Sequence, residues 1–342
     1  MVIKGESAAR DADRRIAAAY DFWSWKQDYS VPLDPAALVS AASPYGGSDC
    51  VTDILDLGCG AGGLLAAIGD QSSGRLIGTD ISPKSCELAR EAVAVHGQRA
   101  EILNADLLDL SGDQLGQFDL IYCLGVLYAV PPAVRDHSLR LIGSCLKPGG
   151  IAVVSYYSGT TPSVLAQIAR GARAVTRDIV DPAQRVVAAR EYIAGLRTVA
   201  ERPSHYSRGL KTAFNYIDCS PDPTLFGDSL NEACESLSTV ELAELLAPHG
   251  IEFAAYLGIG GFQPWYSSRD RAVLAERLDL MGGQFHYALF VKPNRARPAA
   301  PHGEAEHPGR DELPLPQSQQ VSSLPRSARK LARWLFWRLF GA

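Results

Sequence analysis

The chain has 342 residues, 46% of them apolar, and a formal net charge of −5. That apolar content can build the core of one large or two modest domains and sets aside global disorder; the acidic balance sets aside a nucleic-acid partner. The seven cysteines, at 50, 59, 86, 123, 145, 219 and 234, form no CxxC pair, so buried reduced thiols are expected and neither a disulfide framework nor a metal site is.

The N-terminal MVIKGESAARDADRR is polar, with no apolar signal core, and no run of 18 apolar residues follows, so a cytoplasmic location is expected. Residues 1–51 read as an N-terminal helical cap that includes the aromatic stretch YDFWSWKQDY. From 52 the pattern alternates. TDILDLG is a strand and GGLLAAIGD a helix; RLIGTDI is a second strand and SPKSCELAREAVAVHG a helix with Pro83 near its start. AEILNADL is a third strand, FDLIYCLGV a fourth, and VRDHSLRLIGSCL a helix; KPGG then reads as a turn and IAVVSYY as a fifth strand. Strands separated by helices of this length imply right-handed crossovers and a parallel, doubly wound sheet.

The alternation stops at 159–237, where helical segments succeed one another without a clear strand. It resumes with STVELAELLAPHG, a helix opened by Ser238 or Thr239 with Glu241 and Glu244 near its positive end, and two further strands, IEFAAYLGI and QFHYALFVKP. The expected architecture is therefore α/β: a Rossmann-like, seven-stranded, doubly wound sheet with a reversed last strand and a helical insertion between strands five and six. Residues 52–158 and 238–292 form the main domain, 159–237 the insertion or lid, and 258–284 a long connection between the last two strands. Residues 293–325, rich in Pro, Gln, Ser and charge, read as a flexible linker. Residues 326–342, RSARKLARWLFWRLFGA, form a basic amphipathic C-terminal helix. Its five cations, with Trp334, Phe336 and Trp337, suit an anionic membrane surface or a partner protein's groove, so peripheral membrane contact accompanies the cytoplasmic expectation.

The first strand runs into DLGCGAGG, Asp56 to Gly63. Glycines in a strand-to-helix turn let the backbone approach a ligand and adopt positive φ, but GxGxxG and an acid ending the second strand, here Asp80, also occur in nicotinamide and flavin enzymes. Three features separate the cases. Asp56, two residues before the glycines, would repel a pyrophosphate but suits an ammonium group. Asp106 in NADL can accept from an adenine amino group at the end of strand three. LKPGG before strand five and HYALFVKP at the end of the domain fit a seven-stranded sheet with a reversed last strand.

With these motifs the chain resembles the class I S-adenosylmethionine (SAM)-dependent methyltransferases over 52–157 and 238–292. The resemblance implies SAM as cofactor, S-adenosylhomocysteine (SAH) as product and no metal. It implies that Gly58, Gly60 and Gly62 line the methionine part of SAM with Asp56 nearby and Leu124 beside it. Asp80 would bind the ribose hydroxyls, Ile81 would lie against the adenine, and Asp106 and Leu107 would flank it. Tyr20 and Tyr29 would donate to the SAM carboxylate, or else belong to an amphipathic helix packed on the sheet. The run FDLIYCLGVLYAVPPAVRDHSLRLI with VSYY after strand five, and LFGDSLNEACESLSTVELAELLAPHG further on, is similar to the methyltransferases that carry a methyltransferase regulatory domain, a group that includes bacterial protein-lysine methyltransferases. The chain departs from that group at Tyr157, Gly227 and Cys234-Glu235, where Asn, His and Glu-Pro are expected.

Methyl transfer from a sulfonium needs positioning more than acid–base help. Proximity supplies roughly 7–11 kcal/mol, whereas a general base adds about 10²–10⁴-fold. Candidates at the carboxyl ends of the strands are Tyr128 and Tyr157 as catalytic groups, joined by His205 from the insertion. Tyr156, Tyr206, Arg208, Trp265 and Tyr266 are candidates for acceptor contact. The competing role for Tyr156 is a packed core aromatic, and for the insertion residues solvated helix ends. The expected reaction is in-line methyl transfer to an O or N nucleophile, on a protein or ribosomally made peptide; the alternatives are a small-molecule O- or N-methyltransferase of secondary metabolism and a non-catalytic SAM-binding partner.

Overall fold

A computed structural model describes residues 10–12, 14, 16, 18, 21–22, 43–45, 47, 50–157, 164–200, 207–220, 222–231, 233, 235–257, 266–280 and 285–294. The first strand, β1 (Ile54–Leu57), is buried at every position and leads through a glycine loop into α1 (Gly63–Gly69). β2 (Leu76–Asp80) is equally buried; Ser82 then caps α2 (Pro83–Val93) by accepting from the Ser85 N–H, with Pro83 at the first helical position. β3 (Ala100–Asn104), β4 (Phe118–Cys123), α3 (Pro132–Cys145) and β5 (Leu146–Tyr157) complete the first half.

Three helices follow: α4 (Val164–Thr176), α5 (Pro182–Ala200) and α6 (Ser207–Cys219). They share a core of their own, built from Ile168, Ala172, Val186, Ile193, Phe214 and Phe226. Gly171 admits the close crossing of α4 and α5, since a Cβ there would lie 2.1 Å from the Tyr192 hydroxyl. A π-helical turn, Phe226–Leu230, ends this unit. α7 (Thr239–Leu246), capped by Ser238, β6 (Glu252–Tyr256), α8 (Ser268–Leu280) and β7 (Phe285–Val291) close the domain.

The seven strands form one sheet in the order β3-β2-β1-β4-β5-β7-β6, with β7 antiparallel to both β5 and β6. The expected α/β, Rossmann-like, seven-stranded sheet with a reversed last strand is thus observed. One apolar layer joins Leu55, Ile121, Val154 and Phe290 to α3, α7 and α8; the other joins Ile54, Tyr122, Val153 and Leu289 to α1 and α2. Both faces are covered, which is why these strands read as continuous apolar runs. The strand order reverses between β1 and β4, and a crevice at the carboxyl ends is expected there.

Two segments differ from the sequence-based expectation. KPGG is not a turn between elements: Lys147–Gly150 belong to β5, because the Gly149 N–H donates to Lys292 O and Gly150 O accepts from the Lys292 N–H. The 258–284 connection contains a 13-residue helix, α8. Among its described side chains, the buried ones are Arg271, Ala272 and Ala275, with Leu274 partly buried against the same core. Arg271 is satisfied by Phe253 O at 2.9 Å and by Tyr266 O, and its guanidinium lies 4.9 Å from the Tyr45 ring centroid.

At the amino ends of the strands, Lys147 binds Asp53 (2.7 Å) and Asp119 (3.1 Å), while Asp119 also accepts from the Thr52 N–H, the Thr52 hydroxyl and the Asp53 N–H. Burial works against the charge on all three side chains. Hydrogen bonds nevertheless bring both carboxyls below their usual range, led by Lys147 at Asp53 and by the Asp53 N–H, then Thr52 and Lys147, at Asp119, and the two carboxylates raise the Lys147 ammonium.

Candidate active site

The carboxyl ends of β1, β2 and β3 are tied together by backbone. The N–H groups of Gly58 and Cys59 both donate to Thr79 O at 2.8 Å, and the Ala105 N–H donates to Asp80 O at 3.1 Å. The loop after β1 holds Gly58, Gly60 and Gly62 at φ of +80°, +56° and +74°. Two of these positions admit glycine alone for spatial reasons as well: a Cβ on Gly58 would meet Val126 Cγ2 at 2.4 Å, and one on Gly62 would meet the Ala89 backbone at 2.8 Å. The first contact seats the glycine loop against the segment after β4, and the second lets α1 pack on α2.

Asp80 is 4% exposed and accepts from the Gly60 N–H through Oδ2 and from the Ser82 N–H through Oδ1, each at 2.9 Å. A carboxylate oxygen can accept more than one hydrogen bond, which is the chemistry a ligand hydroxyl requires. Asn104, its register partner on β3, donates to Asp80 O and to Ile81 O at 3.0 Å each, which fixes the turn carrying Ile81. One strand further out, Asp106 accepts from the Leu108 N–H at 2.9 Å and starts a short turn in which Leu107 is buried. Asp56 is 5% exposed on β1, paired in register with Tyr122 of β4. Burial, then the Asp56 charge, push the Tyr122 and Cys123 acids well up. The Tyr122 hydroxyl is buried and has no hydrogen-bond partner among the described residues.

On the other side of the switch point, Leu124 follows β4 nearly buried, and the Gly125 N–H donates to Ser155 Oγ at 2.8 Å. Tyr128 and Tyr157 meet edge to face, ring centroids 4.8 Å apart at an interplanar angle of 79°. The segment leaving the insertion is fastened to this rim. The Asn231 amide donates to Ala129 O (2.9 Å), the Glu235 N–H to Tyr128 O (2.9 Å) and the Leu237 N–H to Tyr157 O (2.7 Å).

The fold thus brings Asp56, Gly58, Gly60, Gly62, Asp80, Ile81, Asp106, Leu107 and Leu124 to one end of the sheet, with Tyr128 and Tyr157 beside them. Tyr156, expected to touch the acceptor, is instead a core residue. It is fully buried on the Phe253–Phe290 face, its hydroxyl 2.6 Å from Thr239 Oγ1, beside the stacked Tyr256 and His286. Its neighbour Tyr157 points to the other face because successive strand residues alternate. Tyr266 is also away from the crevice: through its carbonyl and Arg271 it is tied to the amino-terminal half of β6. Tyr20, Tyr29, His205, Tyr206 and Trp265 lie outside the described residues, as do the side chain of Arg208 and the segments 295–325 and 326–342. Asn104 and Asn231 are absent from the residues that sequence reasoning points to. Asn104 has a signal, a polar residue in register with Asp80 at a strand end; Asn231 has none.

This set of groups fits SAM. Three carboxylates, Asp56, Asp80 and Asp106, stand at the ends of three adjacent strands, around a loop from which side chains are excluded at Gly58 and Gly62, and such acceptors match the ammonium, hydroxyl and amino groups that SAM carries. Such a set would oppose a pyrophosphate. Among the described residues no three His, Cys, Asp or Glu side chains converge as for a metal ion, and no helix is long and apolar enough to cross a membrane.

Comparison with known proteins agrees. Residues 54–150 match a methyltransferase domain family. The ubiquinone biosynthesis O-methyltransferase of Bordetella avium is 28% identical over 179 residues, covering 48% of this chain and 73% of that protein. The corresponding enzyme of Xanthomonas axonopodis pv. citri is 31% identical over 124 residues, 36% of this chain and 50% of that one. Among solved structures, PKMT2 from Rickettsia typhi in complex with AdoHcy superposes with a TM-score of 0.61 at 20% identity, over 77% of this chain and 53% of that one. The chain thus spans about half the length of that structure, and the likeness is one of fold.

Proposed function

Because the chain carries a class I SAM-dependent methyltransferase domain, we propose that the whole protein transfers the methyl group to a nitrogen or oxygen nucleophile on a polypeptide. The observation that carries this reading is the fastening of the 231–237 segment to the carbonyls of Tyr128, Ala129 and Tyr157. It makes the helical insertion one wall of the acceptor site. A rim shared between a sheet end and a separate helical unit is suited to receiving a chain from outside. The resemblance to the group that includes bacterial protein-lysine methyltransferases supports the same direction.

SAM, when bound, supplies a methyl group on a sulfonium, already activated for in-line displacement. In this reading Asp56 holds the ammonium, Asp80 the ribose hydroxyls and Asp106 the adenine amino group. Val126, pressed on Gly58, fixes the spacing between the glycine loop and the acceptor side. The Tyr128–Tyr157 pair walls the acceptor and excludes water. An amine acceptor has to lose its proton before reaction, whereas a carboxylate acceptor needs no base, so positioning is the larger contribution.

A second reading is methyl transfer to a small-molecule oxygen. It is favoured by the Bordetella avium O-methyltransferase, of which the chain covers 73%. Intact-mass spectrometry on fractionated peptides and metabolites incubated with the protein and SAM separates the two. Polypeptides gaining 14 Da support the first reading, and fragmentation locates the atom; products confined to the metabolite fraction overturn it in favour of the second.

A further inference from the structure

We infer that Arg10 is a cofactor-positioning residue that acts through Asp106. Arg10 Nη1 lies 2.7 Å from Asp109 Oδ1 and 3.4 Å from Asp106 Oδ2. One cation thus serves two carboxylates on a single short turn at the end of β3. The Asp106 side chain is 9% exposed and that of Arg10 25%. With Oδ1 held by the Leu108 N–H and Oδ2 by Arg10, the carboxylate is fixed from two sides, and lone pairs remain on it for an adenine amino group.

A second contact sets the course of the N-terminal segment. Asp21 binds the hydroxyl of Ser82, the residue that caps α2 just after β2. The backbone is helical at each described position from 10 to 22. The two anchoring residues stand eleven positions apart in sequence. One anchor, at Ser82, follows β2 just after Asp80 and Ile81; the other, at Asp106 and Asp109, follows β3. Arg10 is therefore placed at the adenine end of the crevice from a position about a hundred residues away in sequence.

Without Arg10, Asp106 and Asp109 repel each other and Asp106 loses one of its two anchors. The pair is partly exposed, so its effect is modest and salt-sensitive. The inference rests on the cofactor site proposed above, and the test keeps the two apart. SAH is the probe: it carries one ammonium and one carboxylate, so its own binding adds little net salt dependence. SAH affinity and dissociation rate are measured on the full chain for wild type, Arg10→Ala, Arg10→Lys, Asp109→Asn and Asp106→Asn, at low and high salt, with thermal unfolding of each.

The expected result is about two- to fivefold weaker binding for Arg10→Ala, through faster dissociation. Asp109→Asn gives a smaller loss of the same kind, and Arg10→Lys recovers part of it. Raising salt brings wild type toward Arg10→Ala, which itself responds little. A merely structural role would lower the unfolding temperature without changing that salt response. Unchanged binding by Asp106→Asn would sink the adenine end of the cofactor site. Weakened binding by Asp106→Asn, with Arg10→Ala and Asp109→Asn equal to wild type at every salt concentration, would overturn the role of Arg10 alone.

Discussion

Tyr128 and Tyr157 stand edge to face at the ends of β4 and β5, 4.8 Å between ring centroids, and each offers its backbone carbonyl to the segment that returns from the helical insertion. The pair joins the sheet, which carries the cofactor site, to the insertion. If the rings work by placing the acceptor, Tyr157→Phe keeps methyl transfer within about threefold, while Tyr157→Ala loses about tenfold or more, the effect of roughly 1.4 kcal/mol of lost positioning. Steady-state rates on an acceptor found by mass spectrometry decide this. A phenylalanine variant as poor as the alanine one would assign the work to the hydroxyl.

Asn104 holds Asp80 and Ile81 through two hydrogen bonds at 3.0 Å. Asn104→Ala should weaken SAH binding about threefold to tenfold, as expected for losing one or two net hydrogen bonds. Because the residue is on an exposed edge strand, the unfolding temperature should fall little. Calorimetric titration of the variant measures the first and differential scanning calorimetry the second. An affinity equal to wild type would show that the backbone bond from Ala105 alone fixes the turn.

Gly58 has a positive φ, and a Cβ added to it would lie 2.4 Å from Val126. Gly58→Ala should therefore cost about 1–3 kcal/mol of stability from backbone strain and overlap, and displace the glycine loop from the segment after β4. Denaturant unfolding and SAH titration together check this. Wild-type values for both would mean that the loop relaxes freely, contrary to the packing seen.

The Tyr122 hydroxyl is buried beside Asp56 without a partner among the described residues, and the Asp56 charge adds to burial in keeping the phenol protonated. Removing an unsatisfied buried polar group is neutral or stabilising. Tyr122→Phe should match or exceed wild-type stability, by up to about 1 kcal/mol, with SAH affinity unchanged. A severalfold loss of affinity would instead give this hydroxyl a part in holding the ligand.

The Asp53–Lys147–Asp119 cluster makes stability depend on pH in a stated direction. The two carboxyls are lowered in the folded protein, so their contribution is present above the unfolded carboxylate value near 3.9 and is lost as pH falls through the folded values. Lys147 is raised, so its contribution is present below about 10.4 and is lost as pH rises through its folded value. Lys147→Met should cost about 1–2 kcal/mol at neutral pH. The gap from wild type should narrow as pH falls below the unfolded carboxylate value, measured by urea unfolding across pH. A gap independent of pH would show that the ion pairs contribute nothing.

The sheet was legible because parallel strands covered on both faces are apolar runs, as ILDL and LIGTD are. The position of the glycine loop was legible because Gly58, Gly60 and Gly62 follow an apolar strand directly, and all three take positive φ there. The acceptor side was less so. Every residue of β5 from Gly149 to Tyr156 is buried, so no alternation in the sequence tells Tyr156 from Tyr157. α8 escaped because the buried side chains described on it are two alanines and an arginine, which carry little apolar signal. Arg10 carries no local mark at all, since its partners are 96 and 99 residues away.

Binding of SAH to the crevice is the most direct measure of the cofactor site. Isothermal titration of the full chain should show one site for wild type, and a loss of at least tenfold in affinity for Asp80→Ala with an unfolding transition that remains cooperative, about the effect of removing the carboxylate that receives the ribose hydroxyls. Equal affinity in the two proteins would contradict the placement of the cofactor at the ends of β1, β2 and β3.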